Sequence, residues 1–218
     1  MENKIDQKLI ASAGLTRMFK DLDISNYVND KYNGIDFEEA DIITSESESN
    51  INDMGGGTTF YFRGKWMIFH LNKKFKTNIR IIDKSYKHPT IDKFSNMWPK
   101  FIDSGYKNHK HVEIYKKVEF EDFYLNDKFL AYVKDFDIIK NMVTQPFYDA
   151  LKSIRENIDG EIFIGLIDNK LHIAIQNKNT NLLSRLFNKK KYNEQLELDS
   201  NKAKKLVDII NSDSNLFE

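Results

Sequence analysis

His109 and His111 stand two residues apart in a lysine-rich segment, Lys107 to Lys117 (KNHKHVEIYKK), with Glu113 two residues further on. Alternate side chains of a β-strand project on the same side, so this spacing would let two imidazoles and a carboxylate share one cation. The neighbouring lysines oppose a bound cation, so the pair reads as surface histidines and no metal is assigned. Gly55-Gly56-Gly57 ahead of Thr58-Thr59 suggests a phosphate cradle. Such a loop needs Gly-Lys-Ser/Thr and a helix N-terminus behind it. Here a strand-forming run follows instead, TTFYFRGKWMIFHL, and the glycines read as a hairpin connection. Glu119, Glu121 and Asp122 bring three carboxylates together, but a chain with 33 acids in 218 residues will cluster some of them. Lys189-Lys190-Lys191 is a short basic run suited to solvent, to anionic lipid headgroups or to RNA. The chain has no nucleophile elbow, paired-histidine zinc helix, Walker sequence or dinucleotide fingerprint. No catalytic, cofactor-binding or metal-binding residue is therefore assigned, and no cofactor is expected.

These residues must be positioned by a chain long enough to bury a full core. Basic and acidic residues balance at 33 each, which disfavours a globally basic nucleic-acid binder. Without cysteine, disulfides, thiol catalysis and cysteine-ligated metals are all excluded. No apolar run approaches the roughly 20 residues that span a bilayer, and the opening MENKIDQKLI lacks a signal peptide's apolar core. The expectation is a cytoplasmic protein, or the cytosolic part of a longer protein peripheral to or anchored at a membrane.

Ile5, Leu9, Leu15, Met18, Phe19 and Leu22 recur at helical spacing, predicting an amphipathic helix over residues 4–22 that Gly14 weakens. Tyr27 to Asn33 reads as a turn and Ile35 to Thr44 as a strand, followed by a polar stretch to Asp53. Thr58 to Leu71 is apolar on both faces and belongs in the middle of a sheet, with Arg63-Gly64 marking a bulge or bend. Asn78 to Lys84 reads as the next strand, paired with it through Asn72 to Thr77. Between Pro89 and Pro99, Ile91 to Trp98 reads as a short helix.

From Glu119 to Gln176 nearly every junction carries a local signal. Lys128 to Lys134 (KFLAYVK) is a strand, and Asp135 to Val143 a short helical connection. Thr144 and Pro146 open a helix whose buried face is Phe147, Leu151 and Ile154, and Asp159-Gly160 closes it through glycine's left-handed conformation. Glu161 to Ile167 and Lys170 to Gln176 form a hairpin joined by Asp168-Asn169. Its inward residues are Ile162, Ile164, Leu166, Leu171, Ile173 and Ile175, with His172, Ala174 and Gln176 outward. An aspartate at Ile173 should unfold the domain, and an unchanged melting curve would refute this strand. Beyond a polar loop at Asn177 to Thr180, Asp199 caps a final helix with an Ala203, Leu206, Val207 and Ile210 stripe, Lys202, Lys204 and Lys205 in water, and a fraying tail after Asn211.

The order FEDFYLNDKFLAYVKD, TQPFYDALKSI, GEIFIGLIDNKLHIAI, with FRGKWMIFHLNKKFKTNIRIIDK upstream, resembles an uncharacterised bacterial family catalogued as domain of unknown function three-one-three-seven. The resemblance covers most of residues 30–177 and contains no catalytic signature. It implies homology and fold, no assigned reaction, and relatives that carry hydrophobic segments ahead of the matched region.

The fold class expected is α+β: a mainly antiparallel, curled sheet with packed helices, including N- and C-terminal ones. The chain is expected to be one domain, with residues 1–33 an N-terminal helix and lead-in, 34–177 the sheet core, and 178–218 a loop and C-terminal helix. The function expected is a non-catalytic binding or scaffold domain with a protein partner or an anionic membrane surface. The alternatives are an enzyme whose site carries no motif, and an RNA-binding domain drawing on Tyr61, Phe69 and nearby lysines.

Overall fold

Among the described residues the chain forms eight strands and five α-helices. The computed structural model describes residues 5–16, 19–48, 57–86, 115–176 and 182–218. The strands are β1 (Asp21–Tyr32), β2 (Ile35–Glu48), β3 (Gly57–His70), β4 (Ile79–Asp83), β5 (Lys116–Val118), β6 (Phe129–Val133), β7 (Glu161–Ile167) and β8 (Lys170–Gln176). The helices are α1 (Gln7–Ala13), α2 (Phe123–Lys128), α3 (Phe136–Met142), α4 (Gln145–Asn157) and α5 (Leu182–Ser212), followed by a 3-10 turn at Ser214–Leu216. All strands join one open, antiparallel sheet in the order β1-β2-β3-β8-β7-β4-β6-β5. The α+β expectation holds, with β1 and β5 standing at the two edges.

The hairpin forms as the alternation requires. Ile167 pairs with Lys170 around Asp168-Asn169, and Asp168 takes a φ of 53°, a conformation its short polar side chain tolerates. Its six inward side chains are fully buried with Phe147, Leu151 and Ile154 of α4 and Ala203, Leu206, Val207 and Ile210 of α5. At about 1.5–3 kcal/mol per large apolar side chain, this face is the main source of stability. The outward set is buried too: Ala174 and Phe163 join Trp66, Ile68, Ile82 and Tyr132 beneath Ile10, Ala13 and Leu15 of the N-terminal segment. A sheet covered on both faces carries apolar residues at odd and even positions alike.

Several elements differ from the sequence reading. The N-terminal helix spans only Gln7–Ala13, because Gly14 adopts φ 59° and closes it; Leu22 and the turn-like Tyr27 to Tyr32 lie in strand β1, which turns back at Asn33-Gly34. β4 pairs with β6 and β7 and not with β3, whose neighbours are β2 and β8. The β3 bulge falls at Tyr61 and not at Arg63-Gly64, since Thr44 faces Phe62 while Ser45 faces Phe60.

Thr144 is the N-cap residue of α4, yet its hydroxyl donates to Asp213 instead of accepting from the helix. That helix ends at Ile158 in extended conformation, and Gly160 is not left-handed. Glycine is required there because a Cβ would lie 2.8 Å from the Gln176 carbonyl oxygen. Asp199 lies inside α5 rather than at its start, and its carboxyl pKa is raised by burial. The chain's end does not fray: Leu216 and Phe217 are buried, Phe217 stacks on Phe75 with ring centroids 5.0 Å apart, and the Glu218 amide donates to the Lys74 carbonyl. The helix read at Ile91 to Trp98 and the loop at Asn177 to Thr180 lie outside the described residues.

Candidate functional site

An apolar groove opens where the sheet runs out beyond α4. Ile79 and Ile81 of β4, Ala131 of β6 and Val118 of β5 form its floor, and Ile139 and Phe147 come from α3 and α4. These positions alternate along their strands, so one face of three short strands supplies the floor. Its volume is about 480 Å³. Lys117, Glu119, Glu121 and Tyr148 add polar groups at the margin. Glu119 and Glu121, two of the clustered carboxylates, are therefore part of the groove. The third, Asp122, is structural: it caps α2 by accepting from the Leu125 amide at 3.0 Å and pairs with Lys152, which together hold its pKa below the usual carboxylate value.

A second cavity, of about 330 Å³, lies between the β1–β2–β3 end of the sheet and α5. Its floor is a charge cluster. Lys65, 3% exposed, places its ammonium 3.0 Å from Glu39, 3.4 Å from Asp41 and 2.6 Å from Glu197, while Lys204 reaches the other oxygen of Glu39 at 2.8 Å. Burial pushes the Lys65 ammonium down, but the hydrogen bond to Glu197 and the charges of Glu39 and Asp41 outweigh it, leaving the pKa raised. Lys204 thus ties α5 to β2 instead of facing water, and its ammonium lies 4.9 Å from the centre of the Phe37 ring.

The opposite face holds two buried nitrogen-rich side chains. Arg80 donates to the carbonyls of Ala13 and Ser12 at 2.7 and 3.3 Å and lies 3.8 Å over the Tyr115 ring, so it closes the C-terminal end of α1. His172 is 1% exposed and accepts from Trp66 Nε1 through Nδ1 at 3.3 Å. Burial first, then the neighbouring Lys170, His70 and Arg80, push its pKa down to about 3, and the ring is neutral with its proton on Nε2.

The sequence candidates divide accordingly. His109, His111 and Glu113 lie outside the described residues, as do Gly55 and Gly56; Gly57 opens β3. Lys189, Lys190 and Lys191, read as a loop, are in helix α5. Tyr61 and Phe69 are 4% and 0% exposed and present no face for stacking bases. Among the described residues no group of three or more His, Cys, Asp or Glu is placed to hold a metal ion. No helix among them is long and apolar enough to cross a membrane. The Lys65 cluster was missed, although a lysine inside a strand apolar on both faces, beside the acid-rich DFEEAD strand, is the available signal.

An antiparallel sheet sheathed by helices, with an apolar groove at one end and a charged cavity at the other, defines an α+β domain. Residues 60–212 match the family described as protein of unknown function (DUF3137), and the chain belongs to that family. β1 and β2 lie before the matched residues. No curated protein matches the chain. Among solved structures, the crystal structure of the mycobacterial trehalose monomycolate transport factor A, TtfA, is similar over 87% of this chain and 75% of that one, at 10% identity and a TM-score of 0.41. A likeness at that score carries no argument about this chain.

Proposed function

We propose that this chain is a single, non-catalytic binding domain that works in the cytosol, alone or as the cytosolic part of a membrane-associated protein, and takes a small apolar ligand in the groove over β4, β6 and β5. The groove's size and lining carry this reading. Ligand sites are concave, about 300–1,000 Å³, mostly apolar, and carry a few polar groups that orient the ligand. A groove of about 480 Å³ floored by Ile79, Ile81 and Ala131, with Lys117, Glu119 and Glu121 at its margin, fits that description.

The test is a titration with 1-anilinonaphthalene-8-sulfonate at neutral pH. Val143 lines the groove and is half-buried, so Val143→Asp puts there a negative charge that opposes both the dye's apolar rings and its sulfonate. The dye should bind the native protein and bind the variant at least about tenfold more weakly, with melting unchanged. Equal binding to both sinks the groove as the site. For the membrane, flotation with anionic vesicles should be salt-sensitive and should fall about a hundredfold when Lys189, Lys190 and Lys191 become alanine, at about 1 kcal/mol per lysine. Flotation that ignores both salt and the variant removes the membrane half of the reading.

A further inference from the structure

The segment from Asp21 to Glu48, which supplies β1 and β2, contains nine aspartates and glutamates and a single lysine, in a chain whose formal net charge is zero. Four of these acids meet lysine ammonium groups, Asp36 with Lys31, Glu46 with Lys20, and Glu39 and Asp41 with Lys65, and Glu38 lies 2.8 Å from the His70 ring nitrogen Nε2. Asp21, Asp23 and Asp30 are exposed and have no basic partner among the described residues. All three are on β1, the twelve-residue edge strand, which among the described residues pairs with β2 alone.

Two more features belong to the same edge. β3 pairs with β8 only from Gly64 to His70, so the earlier part of β3, with the paired parts of β2 and β1, forms a three-stranded arm reaching past the central sheet. At the root of that arm a bulge at Asn26, φ 51°, breaks the β1–β2 register and borders the 330 Å³ cavity. Val28, Phe37 and Leu196 make an apolar wall; Asp30, Glu39, Asp41 and Glu197 are the acids beside it. The two lysines of the cavity are already engaged by Glu39, Asp41 and Glu197.

We propose that β1 is a docking edge for an extended, basic polypeptide segment of another protein, which pairs along β1 and places a lysine or arginine side chain in the cavity beside Asp30 and Glu197. Strand addition draws affinity from main-chain hydrogen bonds and specificity from pockets that take alternate side chains. A lysine or arginine supplies an aliphatic stem for Val28 and Leu196 and a cation for the acids. Two copies of β1 repel each other, because charge of one sign on an edge opposes pairing with itself. The surface is at the opposite end of the sheet from the groove and stands or falls independently of it.

The probe is a fluorescein-labelled peptide alternating lysine and threonine, followed by anisotropy and by amide chemical shifts of the full chain. Binding should be present at low salt, weaken with ionic strength, and shift the amides of β1. Asp21→Lys, Asp23→Lys and Asp30→Lys together should weaken it about tenfold or more, since each removes an attraction and adds a repulsion. A glutamate–threonine peptide should not bind. All three positions are exposed, and an unchanged melting curve confirms that the variant is folded. Affinity equal in the variant, or shifts confined to other strands, overturns the proposal. Val28→Trp, which narrows the cavity, separates its parts: loss of the preference for lysine over ornithine-length cations supports the cavity, and an unaltered preference overturns it. Self-association of the native chain that the triple variant abolishes would make the partner a second copy, overturning the assignment to another protein.

Discussion

At the scale of single residues, the two faces of the sheet hold charge in opposite ways. His172 is kept neutral by burial, with its pKa depressed to about 3, whereas in the unfolded chain the ring takes a proton below about 6.5. The unfolded state then binds more protons than the folded one. Stability from this site is complete above about pH 6.5 and is lost as the pH falls towards 3. Chemical denaturation between pH 7 and 5 should show a loss approaching about 1.4 kcal/mol per pH unit, and His172→Gln should flatten that slope. An equal slope in both proteins would mean that the ring is not neutral in the fold. Lys65 is the reverse case, a buried cation held charged by three acids. Lys65→Met leaves Glu39, Asp41 and Glu197 with Lys204 alone, and should cost about 3–5 kcal/mol by urea denaturation. Lys65→Arg, which keeps the charge, should lose less.

At the scale of elements, two glycines separate space from conformation. Gly64 pairs with Gln176 where β3 enters the central sheet, and a Cβ there would lie 1.9 Å from the Ile175 carbonyl oxygen, so only separation of β3 from β8 accommodates it. Gly34 has φ 81° in the β1–β2 turn and open space around it. Gly64→Ala should therefore cost about 3 kcal/mol or more, and Gly34→Ala about 1 kcal/mol from backbone conformation alone. Melting of the two variants side by side checks the order, and the reverse order would mean that the β3–β8 approach is looser than described. The elements legible in the sequence are those with local causes: the β7–β8 hairpin by alternation and its two-residue turn, and α4 by Pro146 and a periodic face. β1 is hard to read because its alternation, Asp21 to Ser25, is short, is broken by the bulge before Val28, and begins at a Leu22 that also continues the helical spacing of the residues before it. Adjacency in sequence pairs β4 with β3, whereas in the fold the β8–β7 hairpin lies between them. The groove was half visible, since Glu119 and Glu121 were noticed as carboxylates but Ile79, Ala131 and Phe147 become neighbours only through the strand order. The Lys65 cluster joins β2, β3 and α5: a lysine in an apolar strand beside DFEEAD signals a buried charge, but its contact with Glu197 of α5 arises only in the fold.

At the scale of the whole molecule, the chain's end secures a long connection in the sheet. After β3 the chain must cross the β8–β7 hairpin before entering β4, and Phe75 anchors that crossing. Phe75 is held from two directions: its amide donates to the Asp168 carbonyl at 2.6 Å, and its ring stacks on Phe217. The Leu216 carbonyl accepts from the Lys76 amide at 3.0 Å, the Glu218 amide donates to Lys74 at 2.9 Å, and Asp213 binds Thr144 at the start of α4. The last residues thus fasten the crossing, the hairpin turn and the α3–α4 junction beside the groove to one another. Ending the chain after Asp213 keeps the Thr144 bond but uncovers Phe75 and removes the buried Leu216 and Phe217. The loss should be about 3 kcal/mol, at the low end of the burial energies of two such side chains, because the unfolded chain already hides part of that surface. Urea unfolding measures it as a lower midpoint, and hydrogen exchange should show Lys76 and Phe75 losing protection before β7 and β8 do. A truncated chain with an unchanged midpoint and protected Phe75 would mean that the crossing is held by the Asp168 carbonyl alone and that the tail contributes nothing to the core.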